Sequence, residues 1–521
     1  LNLSVDGVTG GTLDDADVYT TLNVATKYTG ASTTATGSTL ANVTSTSIDD
    51  LNVSGDKVLT LTSTAGMSGL INVAVTGTAG LSGAFAATTM KTIDTSGTTG
   101  KATITFDATT ATYTGGAGVD AVTTSAIAPT KAISLGAGDD SLTLASGTTA
   151  VTGAISGGDG TDTLVMVAAD IVTADNDLAF SSLVTGFETL YVALSTGGQN
   201  INLTNMGQTS SVIVGASAGA GVVTLTNLAS GGTVTQVGTH ASGVTVSNAL
   251  FGAVGATSDS VNLVMAADGG FDGGTFTAAN VETINLNATD TKVSDGIGTM
   301  TAVVTADKAT TLNVTGNAGA ALTLTSSVKL ATLDASASTG AVSATSVSTA
   351  AITMKGGSAG DSFTANGTTA STLIGNGGAD TLTTNGGLTT LTGGDGLDLF
   401  VIQTAGANDG IYSTITDASA GDRIELVDVG DPTFNATKVA LAPTASFSDY
   451  LDAATAATTG ATDAIIRFFE YGGNTYIVED MSNDATFDDG VDVIVALTGV
   501  VDLSKASLSL DGTGDPVLMI V

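Results

Sequence analysis

Apolar and polar residues alternate along most of the chain. Val, Leu, Ile or Phe take every second position and Thr, Ser or Asn the positions between, which is typical of strands with one buried and one wet face. Clear examples are KVLTLTST from Lys57, KATITFDA from Lys101, GVVTLTNL from Gly221, TTLNVTG from Thr310 and ALTLTSS from Ala321. Glycine-rich breaks about every eight to twelve residues favour sandwiches or solenoids over βα units.

Helical periodicity of useful length occurs once, in FSDYLDAATAAT over residues 447–458. The pattern therefore predicts an all-β protein built from several solenoid or sandwich modules.

A long-range duplication divides the chain. VTGTAG at Val75 recurs as VTGNAG at Val314, and MKTIDTS at Met90 recurs as LATLDAS at Leu330, both at an offset of about 240 residues. Each copy is followed downstream by acidic, glycine-rich turns. These observations predict two related modules and a C-terminal unit.

Five of these turns share one pattern, G-G-x-G-x-D-x-U-x, in which U is a large apolar residue. They are LGAGDDSLT from Leu135, GGDGTDTLV from Gly157, GGSAGDSFT from Gly356, GNGGADTLT from Gly375 and GGDGLDLFV from Gly393. This is the calcium-binding nonapeptide of parallel β-rolls. The second and fifth copies fit most closely, whereas Leu135 and Ala359 replace consensus glycines in two others.

The spacing suits calcium for physical reasons. Glycine tolerates positive φ, which lets carbonyl groups point inward, and the Asp adds a hard anionic oxygen. The apolar U residue starts a short strand that enters the core. We therefore predict bound Ca²⁺ ions and a set of site residues in the nonapeptides: Gly136, Gly138, Asp140, Gly157, Asp159, Asp162, Gly356, Asp361, Gly375, Gly377, Asp380, Gly393, Asp395 and Asp398.

Successive turns on one edge of a roll lie two nonapeptides apart. Asp380 and Asp398 have this separation, and Asp361 and Asp140 have slightly longer separations from the next ligand. The turns between, from Asn366 and Asn385, keep Asn-Gly but lack the Asp. We expect calcium on one edge of each roll.

Four other acidic clusters are weaker candidates for peripheral calcium, with solvated loops as the alternative interpretation. They are Asp14, Asp15 and Asp17; Asp175 and Asp177; Asp268 and Asp272; and Asp484, Asp488, Asp489 and Asp492.

Charge and composition exclude several partners and reactions. The formal charge of −36 disfavours nucleic acid and anionic lipid and favours cations. The chain has no Cys, so it has neither disulfides nor a thiolate nucleophile. Its start, LNLSVDG, lacks an initiator Met and a basic leading region, which indicates either a processed end or the boundary of an expressed segment.

Enzyme motifs are poorly supported. GASAG at Gly215 and GGSAG at Gly356 match the G-x-S-x-G nucleophile motif, but the one histidine, His240, cannot complete its Ser-acid-His order in either case. A zinc protease would need two histidines at helical spacing. We therefore expect no catalytic activity.

Further motifs resemble a known family. GFETLYV at Gly186, TSDSVNLVM at Thr257, VETINLNATDT at Val281, TDASAGDRIEL at Thr416 and FFEYGGNTYIVED at Phe468 are similar to the C-terminal, lattice-forming part of RTX-type S-layer proteins of Gram-negative bacteria. The resemblance covers most of the chain from about residue 115.

The resemblance implies a secreted, calcium-dependent structural protein. It implies self-assembly into a two-dimensional lattice on the cell surface, attachment to an outer-membrane component such as lipopolysaccharide, and type I secretion directed by the final LMIV. It also implies that Asp140, Asp162, Asp361, Asp380 and Asp398 are calcium ligands. A secreted adhesin or biofilm matrix protein with the same calcium rolls is the alternative.

The resulting division has five parts. They are an N-terminal β module (1–134), a first calcium β-roll (135–166), a second β module (167–355), a second calcium β-roll (356–400) and a C-terminal β unit for assembly or secretion (401–521).

Overall fold

The short strands of the chain form a parallel β-solenoid, in which each coil adds one strand to each of two sheets. The computed structural model describes residues 1–27, 29, 37–193, 198–208, 210–217, 221–252, 258–366, 370–384, 388–403, 410–426, 432–456, 465–482, 486–510 and 515–521. The all-β solenoid class predicted from the alternation is confirmed.

The chain forms two compact units. The first unit comprises Leu1–Val237 and Val246–Asn248, and the second comprises Gly238–Thr245 and Ala249–Val521.

The first unit contains parallel strands and two short helices, α1 (Ala168–Ala174) and α2 (Leu178–Leu183). Its strands are β1 (Asn2–Asp6), β2 (Thr12–Asp14), β3 (Thr21–Lys27), β4 (Gly37–Leu40), β5 (Asn42–Thr44), β6 (Asp50–Gly55), β7 (Val58–Leu61), β8 (Asn72–Gly77), β9 (Leu81–Phe85), β10 (Thr92–Thr98), β11 (Ala102–Phe106), β12 (Thr112–Thr114), β13 (Ala121–Thr124), β14 (Ile133–Ala137), β15 (Ser141–Thr143), β16 (Ile155–Asp159), β17 (Thr163–Val167), β18 (Val184–Thr185), β19 (Thr189–Ala193), β20 (Asn200–Asn202), β21 (Ser211–Ser217) and β22 (Val223–Thr226). Strands β23 (Gly232–His240) and β24 (Val244–Ser247) have residues in both units.

Two sheets dominate the first unit. One has the order β1-β3-β6-β8-β10-β12-β14-β16-β18, and the other contains β4-β7-β9-β11-β13-β15-β17-β19-β21. Strands β2 and β5 form a small separate sheet, and β20 pairs with β22. The sequence pattern did not predict α1 and α2, which lie between β17 and β18; the side chain of Asp177 caps α2 by accepting from the N–H of Ala179.

The second unit continues the same pattern of parallel coils. Its strands are β25 (Ser260–Ala267), β26 (Asp272–Ala278), β27 (Thr283–Asp290), β28 (Thr299–Thr305), β29 (Thr311–Gly316), β30 (Gly319–Thr325), β31 (Thr332–Ser338), β32 (Val342–Thr345), β33 (Thr353–Lys355), β34 (Ser362–Thr364), β35 (Ser371–Gly377), β36 (Thr381–Thr383), β37 (Thr389–Asp395), β38 (Leu399–Ile402), β39 (Ser413–Ile415), β40 (Arg423–Leu426), β41 (Thr433–Phe434), β42 (Ile465–Tyr471), β43 (Asn474–Glu479), β44 (Val493–Leu497), β45 (Ser507–Leu510) and β46 (Pro516–Met519). Odd-numbered strands from β25 to β39 form one sheet and even-numbered strands from β26 to β40 the other. A 3₁₀ turn spans Val293–Asp295.

The last strands of the second unit add antiparallel strands to the ends of both sheets. Strands β42, β43 and β44 form an antiparallel meander, and β44 pairs with β39. Strand β46 runs antiparallel to β40, and β45 follows at the open edge. Helix α3 (Phe447–Thr455), at the predicted helical segment, packs Leu451 and Ala454 against Phe469 and Val478. We call residues 432–521 the cap.

The core of each unit is a stack of apolar side chains in register. In the second unit Phe363, Leu382, Phe400 and Ile424 lie opposite one another on successive coils and are fully buried. Three of them are the U residues of the nonapeptides. Each inward position stacks on the same position one coil away. This stacking explains the alternating pattern, because inward positions favour apolar side chains.

The sequence duplication is also a structural one. The N–H of Ser96 donates to Oδ1 of Asp94 over 2.9 Å in β10, and the N–H of Ser336 donates to Oδ1 of Asp334 over 3.0 Å in β31. Each strand pairs with its predecessor through a register shift near this turn. The two units therefore repeat local structure as well as sequence.

Candidate metal centre

The nonapeptide turns all lie where a strand of one sheet passes into a strand of the other. The turn at Gly157 joins β16 to β17, and that at Gly393 joins β37 to β38. In the Gly157 turn the second position requires glycine: Gly158 has φ +115°, and a Cβ there would collide with the carbonyl oxygen of Gly136 in the preceding coil. The coils stack this closely at Gly158 because the turn has no side chain at this point, whereas the turn from Gly375 has Asn376 there, with φ +71°.

In the first unit the turns place four carboxylates in a column, which we call the first ladder: Asp120, Asp140, Asp162 and Glu188. The N–H of Asp120 donates to Oδ1 of Asp140 over 2.6 Å, and the N–H of Asp140 donates to Oδ1 of Asp162 over 2.9 Å. The N–H of Asp162 donates to Oε2 of Glu188 over 2.8 Å. Each carboxylate thus fixes the backbone of the coil before it.

The second unit repeats the arrangement in a second ladder: Asp361, Asp380, Asp398 and Asp422. The N–H of Asp361 donates to Oδ1 of Asp380 over 2.6 Å, and that of Asp380 donates to Oδ1 of Asp398 over 2.9 Å. The N–H of Asp398 donates to Oδ1 of Asp422 over 3.0 Å. The two ladders have the same bonding pattern on matching coils of the duplicated units.

The ladders contain buried carboxylate oxygens that accept no hydrogen bond from the protein. Asp140, Asp162 and Asp380 are 2%, 0% and 1% exposed, and the Oδ2 atom of each has no hydrogen-bond partner. A buried carboxylate oxygen without a partner is strongly destabilising. These positions therefore call for a cation or a proton.

Burial also changes the acidity of the ladder carboxyls. Desolvation, reinforced by neighbouring carboxylates, raises the pKa of Asp140 and of Asp380 to about 7. Burial likewise raises the pKa of Asp162, Asp361 and Asp398. Ionised carboxylates stacked along a ladder repel one another unless a bound cation compensates their charge.

The structure brings the five predicted aspartates together as two groups, Asp140 with Asp162 and Asp361 with Asp380 and Asp398. Several predicted glycines lie directly against them: a Cβ added to Gly157, Gly356, Gly375 or Gly393 would contact Oδ2 of the Asp in the same turn. Gly136 and Gly138 adopt positive φ, and a Cβ on Gly377 would lie close to the turn of the preceding coil.

Two of the predicted site residues, Asp159 and Asp395, have side chains outside the ladders. The Asp159 and Asp395 side chains are exposed. Their carbonyl oxygens accept bonds from the N–H groups of Gly138 and Gly378, over 2.8 Å and 2.9 Å. They contribute to the turns through the backbone.

The ladder carboxylates are hard oxygen donors, the type of ligand that Ca²⁺ prefers. Within the described residues, no three or more Asp, Glu, His or Cys side chains form a group that could hold a metal ion. Each interval between coils instead has carboxylates from two turns, set in glycine-rich backbone. Asp140 with Asp162, and Asp380 with Asp398, are the pairs that would hold Ca²⁺, which accepts six to eight oxygen ligands in flexible geometry.

Three ladder residues were missed by sequence reasoning. Asp120 belongs to GGAGVDAVT from Gly115, which matches every position of the nonapeptide and could have been found. Glu188 and Asp422 precede a buried apolar residue by two positions but lack the full glycine pattern. The Oδ2 atom of Asp120 accepts a 2.9 Å bond from the Tyr113 hydroxyl, so the protein itself closes this end of the first ladder.

The weaker acidic candidates make mainly backbone bonds. Asp492 is buried, and its carboxylate accepts from the N–H groups of Met481, Ser482 and Asp488. Asp15 accepts from the N–H groups of two residues in its own turn. Asp484 and parts of the turns from Asn366 and Asn385 lie outside the described residues.

Among the described residues, none of the helices has the length and apolar character needed to cross a lipid bilayer. Comparison with known protein families and with characterised proteins found nothing that matches the chain.

Proposed function

We propose that the protein is a secreted structural protein that assembles, in a calcium-dependent way, into a two-dimensional layer on the cell surface. Ca²⁺ ions bound along the two ladders hold successive coils together. Other copies of the same chain are the main partner, and an outer-membrane component such as lipopolysaccharide is the attachment site.

The observation that carries this proposal is the pair of carboxylate ladders. Asp140, Asp162 and Asp380 each bury a carboxylate oxygen without a partner, inside turns of the calcium-nonapeptide pattern. Ca²⁺ bridging two coils would supply the missing contacts and neutralise the stacked charges. Related extracellular modules bind calcium with dissociation constants of about 10⁻⁴ to 10⁻³ M.

Charge supports the link between calcium and assembly. Copies that each carry a formal charge of −36 repel one another at close approach. Monovalent salt screens this repulsion over a Debye length of about 8 Å, but only a divalent ion also bridges carboxylates. Calcium-rich surroundings would therefore favour both the folded coil and contact between copies.

The test separates calcium binding from charge screening. Chelator-treated protein is titrated with calcium or with magnesium at equal ionic strength, while circular dichroism follows the β signal and electron microscopy follows arrays. Calcium is expected to restore both, whereas magnesium restores them poorly because it requires tighter octahedral geometry.

A variant and two opposing results make the test decisive. The double variant Asp140→Asn with Asp380→Asn should need more calcium for the same β signal. Equal restoration by magnesium would refute the calcium mechanism. If calcium folds the protein but it stays monomeric at all protein concentrations, the lattice is refuted and the calcium sites are not.

A further inference from the structure

A polar pocket lies beside the only helical insertion in the first unit's described coils. It has a volume of about 350 Å³ and is lined by Asp175, Asn176, Asn200, Asn202, Asn205 and Thr226. Its lining comes from the C-terminal end of helix α1 and from the edge strand β20 and its neighbour β22. Insertions into a repeat commonly mark the binding face of a solenoid.

Asp175 is the fixed centre of this pocket. It is 4% exposed; its Oδ1 accepts from Nδ2 of Asn176 over 2.7 Å, and its Oδ2 accepts from the N–H of Asn202 over 2.8 Å. Its carbonyl oxygen accepts from Nδ2 of Asn205 over 2.7 Å. The carboxylate is therefore held in one orientation where it lines the pocket.

A second set of bonds fixes the strand side. Oδ1 of Asn202 accepts from Nδ2 of Asn227 over 2.8 Å and from the N–H of Thr204 over 3.2 Å. The Thr226 hydroxyl donates to the carbonyl oxygen of Ile201 over 3.1 Å. The lining is thus preorganised, which lowers the entropy lost when a ligand binds.

The chemistry of the lining selects the class of ligand. Among the described residues that line it, none is basic, aromatic or aliphatic. Both amide N–H groups of Asn176 are used within the protein, by Asp175 and by the carbonyl oxygen of Val172. The amides of Asn200 and Asn205 offer donors and acceptors, and the carboxylate and threonine add acceptors, which suits adjacent hydroxyl groups that donate and accept together. The buried carboxylate and the formal charge of −36 oppose an anionic ligand.

We propose that this pocket binds one neutral sugar residue, through hydrogen bonds from its hydroxyls to Asp175 and the surrounding asparagines. The volume is at the lower end of that of ligand pockets and accommodates a single ring. Without an aromatic surface for stacking, the dissociation constant lies in the millimolar range. The inference is independent of the calcium ladders, because none of their residues lines the pocket.

The test is saturation-transfer NMR on the full chain with three neutral probes, glucose, methyl α-mannoside and methyl β-galactoside, and with glucuronate as the anionic probe. At least one neutral probe should show transfer, and glucuronate should show none. Asn205→Ala and the exposed Asn200→Ala should each weaken binding about fivefold, the effect of losing one neutral hydrogen bond. The control Asn52→Ala, which removes an outward asparagine bonded to Asn23, should leave binding unchanged.

Three results would overturn the proposal. One is no transfer to any neutral probe at about 20 mM, where a millimolar site is largely filled. Another is equal binding by the wild type and Asn200→Ala. Because the Asn200→Ala variant keeps the buried hydrogen bonds, it tests the pocket even if Asn205→Ala fails to fold. The third is tighter binding of glucuronate than of every neutral sugar.

Discussion

The backbone N–H of Asp380 donates a 2.9 Å hydrogen bond to Oδ1 of Asp398, 18 residues later in the chain. The strands that follow these residues pair in register, so 18 residues make one coil here. The side chain of one coil therefore supports the backbone of the coil before it. This relationship makes each ladder carboxylate both a structural bond and a candidate calcium ligand.

Asp398→Ala should weaken the second unit selectively. The change leaves the buried N–H of Asp380 without its acceptor, at a cost of about 1–3 kcal/mol, and removes a ligand from the ladder. Calorimetry in millimolar calcium should show the transition of the second unit lowered and broadened while that of the first unit persists. Asp452→Ala, which removes an exposed carboxylate from α3, is the matched control; an unchanged profile for Asp398→Ala would contradict the prediction.

Without calcium, stability should fall as the pH rises. The folded pKa of Asp140 and Asp380 is raised to about 7 by burial, whereas an unfolded Asp ionises near about 4. The folded state therefore binds more protons between these values, so its added stability is complete below about pH 4 and is lost as the pH passes through about 7.

Thermal melting in chelator measures this effect. Added calcium should reverse the loss at pH 8, where the carboxylates are ionised and able to bind it. The double variant Asp140→Asn with Asp380→Asn should flatten the pH profile. A chelated wild type that melts higher at pH 8 than at pH 5 would rule out the assigned direction.

Gly158→Ala should cost more than the same change at another glycine with positive φ. Gly158 has φ +115° and no room for a Cβ beside Gly136, whereas Gly207 has φ +76° and nothing within 4 Å of an added Cβ. Gly207→Ala should lower the free energy of unfolding by about 1 kcal/mol, because it introduces backbone strain alone. Gly158→Ala introduces the same strain and also a steric clash that separates the coils. Denaturant melts of the first unit compare the two, and equal losses would show that close coil stacking is unimportant there.

Deletion of all residues after Asp422 should abolish ordered assembly. The truncation removes β40 and the cap, so β38 and β39 lose their hydrogen-bonded neighbours and the ends of both sheets become open edges. Open parallel edges promote irregular association. Electron microscopy should show aggregates or no arrays beside full-length controls in calcium, and ordered arrays from the truncated chain would refute the role of the cap.

Much of the fold was predictable because inward and outward positions alternate so regularly. Phe363, Leu382 and Phe400 follow the Asp of their turns by two positions, and the same spacing brings the three side chains into one buried column. The helix near Phe447 was predicted from its periodicity. Helices α1 and α2 were missed because each is too short to show a clear helical period.

The ladders were only partly predictable. The motif identifies Asp140 and Asp380, but the hydrogen bonds that join a carboxylate to the N–H of the preceding coil depend on stacking, which one turn cannot reveal. Glu188 extends the first ladder from a turn without the full glycine pattern, because its longer side chain reaches the same N–H position. The polar pocket at Asp175 could not be predicted from the sequence either, since its lining comes from three separate segments.

The closing of the sheets by the cap sets an order for folding. Within the solenoid each strand pairs with the next coil, so coils can be added one after another with small loop-closure entropy. The cap instead joins Thr414 to Ala496 and Arg423 to Met519, contacts that need the end of the chain. Long-range pairings form slowly, so cap closure should be the last and rate-limiting event, and until then the growing coil end remains free to recruit strands from other molecules.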